Sequence, residues 1–279
     1  MHSVYFTSAQ KQRLVELNYA GTEPESGFET PEARDAAYRR LSAELVKKNR
    51  ELLAKALYHG EKSTVALVAE RLESWLGEMG FAEVSTPHII TAQCLDKMSI
   101  TESHPLRKQV FWLDGGRCLR PMLAPGLYTL MRDLHKALNK PVRIYEIGTC
   151  FRKEQRGAGH LNEFIMLNLV EYASVKQGEQ QNRLRELASL AMSAAGVEGT
   201  EIIAETSDVY GETLDIIRQG TELASGATGP HALDAAWGVF ETWVGLGIGI
   251  ERVAMAVSGH SGVGRLGRST AYLNGARIN

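Results

Sequence analysis

The run WVGLGIGIERVA, which begins at Trp243, constrains this chain more than any other stretch. Leu246, Ile248 and Ile250 alternate with Gly245, Gly247 and Gly249, the period-two signature of a strand whose successive residues point to opposite faces. One face carries large aliphatics and belongs against a core. The other is stripped to backbone. Glycine weakens a strand interior and packs no side chain, so three in register mark either a close approach between backbones or a floor on which a flat ligand lies. Glu251 and Arg252 then place two fixed charges at the end of that strand.

The rest of the chain can supply a core for such a strand. Of its 279 residues 44% are apolar, enough for one large domain and an appendage. No apolar run approaches the ~20 residues of a membrane span, and the opening MHSVYFTSAQ lacks the charged and apolar regions of a secretory signal, so a cytoplasmic protein with no membrane partner is expected. Cys94, Cys118 and Cys150 are odd in number and far apart, which argues against structural disulfides and a zinc ribbon and for buried apolar fillers. A formal charge of -2 gives no global argument for nucleic acid, but the cations are unevenly placed.

They gather near the N-terminus. Thr30 and Pro31 open a helix that should run to about Leu57, with a threonine cap, proline in the first turn and acids near the positive end of the dipole. Tyr38, Leu41, Leu45 and Leu52 form its apolar stripe, while Arg34, Arg39, Arg40, Lys47, Lys48, Arg50 and Lys55 outnumber the acids beyond the first turn. Such a face is either simply solvated or laid along a phosphate backbone. SAQKQRLVELN reads as a shorter helix ahead of it, and a further amphipathic helix runs from Ser63 to Gly80. GFAEVSTPHII follows as a short strand, with Pro87 at an edge or reversal where another subunit could pack. KQVFWLD and GGRCLR pair as strands before a helix over Leu127 to Leu138. PVRIYEIGTCFRKE, interrupted at Gly148, and HLNEFIMLNLVEYA make an antiparallel hairpin whose tip carries Arg152, Lys153, Glu154, Arg156 and His160.

Three of these pieces, Gly80 to Pro87, Phe151-Arg152-Lys153-Glu154 and the glycine strand with Glu251-Arg252, resemble in order motifs 1, 2 and 3 of the class II aminoacyl-tRNA synthetases. Within that class LRPMLAPGLY, EIGTCFRKE, HLNEFIMLNL, VYGETLDI and AYLNG are similar to the pyrrolysyl-tRNA synthetases, in the short form without a separate N-terminal tRNA-binding domain. The resemblance spans nearly the whole chain. It implies an α+β class II catalytic fold, an antiparallel sheet flanked by helices over residues 61–279, preceded by an N-terminal helical tRNA-binding segment over 1–60. It further implies a homodimer through the motif 1 segment, ATP-dependent activation of pyrrolysine or a related Nε-acylated lysine, and transfer to a cognate tRNA of the pyrrolysine type with a CUA anticodon.

Roles follow from the same resemblance. Arg152 matches the arginine that meets the α-phosphate and the substrate carboxylate, and Arg252 the one that lies on adenine and reaches the γ-phosphate; a planar fork of donors suits both tasks. Glu154 and His160 match positions near adenine and the terminal phosphates, and Phe164 the ring that stacks on adenine. Glu222 and Ser225 match the residues that contact Mg²⁺, although by themselves a Glu and a Ser three apart read as a solvated pair. No P-loop is present, which leaves phosphate to arginines and metal. Asn168, polar within FIMLNLVEY, either bonds neighbouring backbone or faces a ligand; its counterpart bonds the side-chain carbonyl of pyrrolysine. Leu123, Ala124, Leu127, Tyr128, Met131, Val170, Trp243 and Gly245 match the lining of a deep apolar pocket, with Tyr210 on a loop that folds over the substrate and no charged residue at the base. Arg34, Arg39, Arg40, Lys47 and Lys48 are the expected tRNA contacts.

Leu246 and Ile248 stand where the family suggests alanine and phenylalanine, Gly226-Ala227-Thr228 where it suggests alanine and valines, and Gly126 where it suggests a polar residue. The changes at 226–228 imply an altered pocket width. Two alternatives therefore stay open: a class II synthetase with a divergent or engineered specificity, such as for a phenylalanine-like substrate, and a synthetase-like binding paralogue without catalysis. Asn168 beside Trp243 argues against the first, and the intact Arg152, Glu154 and Arg252 against the second.

Overall fold

The structure is a computed structural model that describes residues 4–19, 21, 27–153, 161–260 and 262–278. Thr7 opens α1 (Ser8–Glu16) with a reciprocal capping box to Gln10. Thr30 caps α2 (Pro31–Tyr58) by accepting from the Ala33 N–H, and Ser63 caps α3 (Thr64–Glu78) in the same way through Ala66. Then come β1 (Ala82–Glu83), β2 (Ile89–Thr91), α4 (Ala92–Lys97), α5 (Pro105–Lys108), β3 (Trp112–Leu113), β4 (Arg117–Leu119) and α6 (Ala124–Leu138). The long hairpin is β5 (Val142–Phe151) and β6 (Glu163–Tyr172), followed by α7 (Gln180–Ala195). A meander of β7 (Glu201–Ser207), β8 (Gly211–Arg218) and β9 (Thr221–Gly229) leads through α8 (Asp234–Trp237) to β10 (Trp243–Gly249), α9 (Ile250–Ser258) and a small hairpin of β11 (Tyr272–Leu273) and β12 (Ala276–Arg277).

Seven strands form one sheet in the order β1-β5-β6-β10-β9-β8-β7, antiparallel except for β1, which pairs with β5 in parallel. Strand alternation sorts the sheet into two chemically different faces. Leu167, Leu169, Leu214, Ile216, Val244, Leu246 and Ile248 pack against α3, α7 and α9 in one core. Leu246 and Ile248, which depart from the family pattern, thus fill that core and leave the opposite face untouched. On the other face Val142, Ile144, Val170, Tyr172 and Trp243 pack at one end against α6. The remainder of that face carries the site.

Strand β5 runs unbroken through Gly148; the glycine is required because a Cβ there would lie 2.2 Å from the Arg120 guanidinium. Arg120 is buried beneath β5, paired with Glu146 at 2.6 Å and donating to the carbonyls of Thr149 (2.8 Å) and Thr86 (2.9 Å), so the segment after β1 is stapled to β5 by a buried, hydrogen-bonded ion pair. The glycine strand stops at Gly249, and Glu251 and Arg252 belong to the first turn of α9. The apolar stripe of α2 is thin: Asn49 is its one buried residue among those described, and Leu52 is 42% exposed. Asn49 docks the helix, its Oδ1 accepting from the Arg277 N–H (2.6 Å) and its Nδ2 donating to the Leu17 carbonyl (3.2 Å). Cys94, Cys118 and Cys150 are free thiols, the last two buried. No helix among the described residues is long and apolar enough to cross a membrane.

Candidate active site

A cavity of about 470 Å³ opens on the second face of the sheet. Its floor is the bare side of β10, Gly245, Gly247 and Gly249, and its walls include Met166 and Asn168 of β6, Asp215 of β8, and Glu222, Ser225 and Ala227 of β9. The glycines serve close approach and open space together. A Cβ on Gly247 would lie 3.3 Å from the Asn168 amide, and one on Gly245 3.2 Å from the Trp243 ring, so both side chains lie over a floor that only glycine leaves clear.

The two arginines meet in this cavity from different elements. Arg152 follows the last residue of β5; its Nε donates to the Pro121 carbonyl (2.9 Å) and its guanidinium lies 5.3 Å from the centre of the Phe164 ring. Arg252, in α9, lays its aliphatic stem beside Gly249, donates to the Glu222 carbonyl (3.2 Å) and stands 3.5 Å from the Glu222 carboxylate. Each guanidinium is oriented by a backbone carbonyl, which suits donors that must be in place before charge develops.

Glu222 reaches the cavity through an irregularity that sequence alternation conceals. Ser225 pairs with Asp215 and Ala224 with Ile216, but Glu222 pairs with Ile217, so Leu223 is an extra residue in β9. That bulge reverses the parity of the strand and turns Glu222 to the face of Ser225; an unbroken strand would point it at the core. Asp215, absent from the sequence reading, faces the same space and accepts the Ser225 hydroxyl proton at 2.6 Å. Its position opposite Ser225 in the β8–β9 register was the missing signal. Among the described residues no group of three or more His, Cys, Asp or Glu is placed to hold a metal. A cation here would have two carboxylates and a hydroxyl whose lone pairs stay available because its proton is given away, a hard oxygen set that fits Mg²⁺ completed by phosphate and water.

The side-chain end of the cavity is formed by Ala124, Asn168, Tyr210, Trp243 and Gly245. The Oδ1 of Asn168 is buried with no hydrogen-bond partner. Tyr210, in the turn between β7 and β8, faces Trp243 with ring centres 5.9 Å apart. Leu123, Leu127, Tyr128, Met131 and Val170 do not reach the cavity wall; at 1–5% exposure they form a packed layer behind Ala124 and Trp243. Behind this end, outside the cavity wall, the Asp234 carboxylate is buried against Trp243 and Tyr128 and bonded to both. The departures at 226–228 also have a side. Gly226 faces α7, where a Cβ would meet Leu184 at 2.5 Å, and Thr228 bonds Gln181 of α7, so of the three only Ala227 presents a side chain to the cavity face. Gly126 admits Thr86, whose hydroxyl would lie 2.5 Å from an added Cβ.

Glu154 and His160 lie outside the described residues. Arg39, Arg40, Lys47 and Lys48 are exposed along α2, whereas Arg34 is half-buried and engaged by Asp35 at 2.8 Å.

The family described as tRNA synthetases class II core domain (F) matches residues 47–196, more than half of the chain. The crystal structure of pyrrolysyl-tRNA synthetase from Desulfitobacterium hafniense is similar with a TM-score of 0.93 and 46% identity over 100% of this chain and 99% of that one. A second structure from that organism, of PylSc, a pyrrolysyl tRNA synthetase, gives 0.91 and 45% over 99% of each chain. The phenylalanine–tRNA ligase alpha subunit of Mycoplasma pneumoniae is 27% identical over 122 residues, 43% of this chain, and the match spans only about a third (36%) of that protein's length.

Proposed function

The chain belongs to the class II aminoacyl-tRNA synthetases, and from that premise we propose that it is a pyrrolysine–tRNA ligase, activating pyrrolysine or a related Nε-acylated lysine with ATP and esterifying the cognate tRNA. The observation that carries the substrate is the unpartnered, buried Oδ1 of Asn168 in the wall of a cavity otherwise lined there by apolar groups and backbone. An orphaned buried acceptor costs about 1–3 kcal/mol, and the amide of an Nε-acyl lysine offers an N–H for that oxygen or, with the asparagine amide turned over, a carbonyl for its nitrogen. A phenylalanine-like side chain would leave that cost standing.

In the reaction the substrate carboxylate attacks the α-phosphorus of ATP, the bond to the bridging oxygen breaks, and pyrophosphate leaves as the aminoacyl-adenylate forms. Arg152 offers its guanidinium to the α-phosphate and the carboxylate, holding nucleophile and electrophile together while charge grows on the phosphorus oxygens. Arg252 covers adenine and meets the outer phosphates, with the glycine floor admitting the ring and Phe164 closing its other face. Mg²⁺ arriving with ATP would neutralise phosphate charge and be held by Glu222, Ser225 and Asp215. Glu154 and His160 join the nucleotide contacts in this reading. The exposed cations of α2 support tRNA binding by residues 1–60 and chemistry by 61–279. The exposed Ile89, Trp112 and Leu113 on the β2-β4-β3 sheet beside Pro87 support a homodimer through that surface, and a cytoplasmic setting follows from the role in translation.

ATP–pyrophosphate exchange across a panel of amino acids tests this. Exchange should respond to lysines with Nε-acyl or carbamoyl groups, and Asn168→Ala should lower kcat/KM for them by roughly 10- to 100-fold while admitting bulkier aromatic side chains. Exchange driven by phenylalanine, with none from acylated lysines, would replace the reading.

A further inference from the structure

Asp234, the first residue of α8, lies in a region of apolar packing, 1% exposed, and its carboxylate gathers three donors. Oδ1 accepts from the Tyr128 hydroxyl (2.8 Å); Oδ2 accepts from the Trp243 indole N–H (2.7 Å) and from the backbone N–H of His231 (2.6 Å). Trp243 reaches it because it pairs across the sheet with Gly229, where a Cβ would fall 1.8 Å from the indole nitrogen; only glycine lets the ring cross β9. Tyr128 is clamped between Trp237, stacked at 5.4 Å, and Trp243, edge-on at 5.7 Å. The same carboxylate fixes the backbone of His231, whose ring Nε2 bonds the Tyr210 carbonyl and whose ring stands 6.0 Å from the Tyr210 ring.

We propose that Asp234 is a positioning residue that sets amino-acid selectivity, drawing the polar ends of Tyr128 and Trp243 away from the cavity and seating His231 as the latch that holds Tyr210 over it. The proposal rests on the synthetase reading above. A tyrosine and a tryptophan each bring a donor that must be satisfied when buried. With both donors directed to one carboxylate behind the cavity, Trp243 shows the substrate only its ring and Tyr128 packs behind it, so the pocket takes an apolar chain although polar residues build it. Without the carboxylate the indole N–H and the hydroxyl must find partners elsewhere, and the cavity is the neighbouring space. His231 donates from Nε2 to a carbonyl and its Nδ1 is buried without a partner, so the latch is one directed bond and depends on the backbone position that Asp234 sets.

Asp234→Asn keeps the volume but retains only one accepting oxygen for three donors, and His231→Ala removes the latch while leaving its backbone bond to Asp234. Pyrophosphate-exchange kinetics with Nε-(tert-butoxycarbonyl)-L-lysine should show KM for the amino acid raised by about 10-fold or more in D234N and by ~3- to 10-fold in H231A, with KM for ATP within about twofold of wild type in both. The preference for that substrate over Nε-benzyloxycarbonyl-L-lysine should shift by at least ~5-fold. Equal rises in both KM values, or no change in either, would overturn the proposal. If D234N fails to fold, H231A alone decides on the same criteria. Wild-type protein that exchanges with neither lysine derivative would instead remove the functional reading, and the two failures are told apart by that control.

Discussion

At the scale of single residues, the most informative side chain outside the expected set is Glu251. Strand β10 pairs with β6 as far as Gly249 opposite Met166 and then turns into α9, which leaves the next backbone donor of β6 without a strand partner. Both oxygens of Glu251 take up the Ile165 N–H, at 2.9 and 3.0 Å, and so complete the ladder between Phe164 on one side and Arg252 on the other. Burial pushes this carboxyl up to about 7, with Glu163 acting in the same direction and the Ile165 N–H and Arg268 opposing it. An acid whose folded pKa is raised contributes stability that is full below its unfolded value near 4.5 and is lost as pH climbs through about 7. Glu251→Gln keeps an acceptor for Ile165 and removes the titration. Its stability relative to wild type should therefore improve between pH 5 and pH 8, by at most about 3 kcal/mol, as read from urea midpoints. Parallel pH profiles for the two proteins would show that Glu251 stays ionised throughout. Arg152, Arg252 and Asn168 were legible in the sequence because each sits within a motif or breaks an apolar pattern. Asp215, Asp234 and the bond made by Glu251 were not, since their roles depend on which distant donors the register leaves unpaired.

At the scale of elements, what could be read locally was read. Thr30 and Ser63 announce helices by their caps, and β5, β6 and β10 announce themselves by composition or by period. What could not be read was set by neighbours remote in sequence: Gly148 by the Arg120 guanidinium, the helix start at Ile250, and the bulge at Leu223 that reverses the facing of Glu222. Strand β9 makes this testable, because its residues near the site divide between two layers. The sequence suggests that Gly226 widens the pocket, yet its missing side chain would meet Leu184 of α7 at 2.5 Å and the Gly245 carbonyl at 3.0 Å. Gly226→Ala should then destabilise the fold by about 1–3 kcal/mol through overpacking, lowering the melting temperature while leaving KM for the amino acid unchanged. Adding Leu184→Val should recover part of the loss. A change in amino-acid KM without loss of stability would mean that β9 faces the other way.

At the scale of the whole molecule, the question is how a tRNA finds the cavity. Helix α2 is anchored where Asn49 bonds the backbone of Arg277 and of Leu17 and where Asp35 accepts from the Gln10 amide of α1 (2.9 Å), and a neighbouring tie joins Arg265 to the Glu16 carbonyl at 3.1 Å. The helix is thereby held against the C-terminal hairpin, and Arg39, Arg40, Lys47 and Lys48 remain exposed along it. Its 28 residues make a rod of about 42 Å, long enough to follow one side of a folded RNA body. Cations on such a rod contact phosphates, which position the RNA without reading its bases and which make binding steeply dependent on salt. Nothing on this helix distinguishes one anticodon from another, so recognition through it should follow the shape and charge of the tRNA body. We therefore expect that replacing the CUA anticodon by several sense anticodons on one tRNA body changes aminoacylation kcat/KM by less than about tenfold, or ~1.4 kcal/mol. Reversal of both charges, Arg39→Glu with Arg40→Glu, should cost more than that and reduce the slope of log affinity against log salt by about one per cation removed. Amino-acid activation measured without tRNA should be unaffected by the reversal, since both side chains lie outside the cavity. Collapse of aminoacylation with the anticodon, alongside a silent Arg39/Arg40 reversal, would place recognition elsewhere on the molecule and leave the charged face of α2 as a solvated surface.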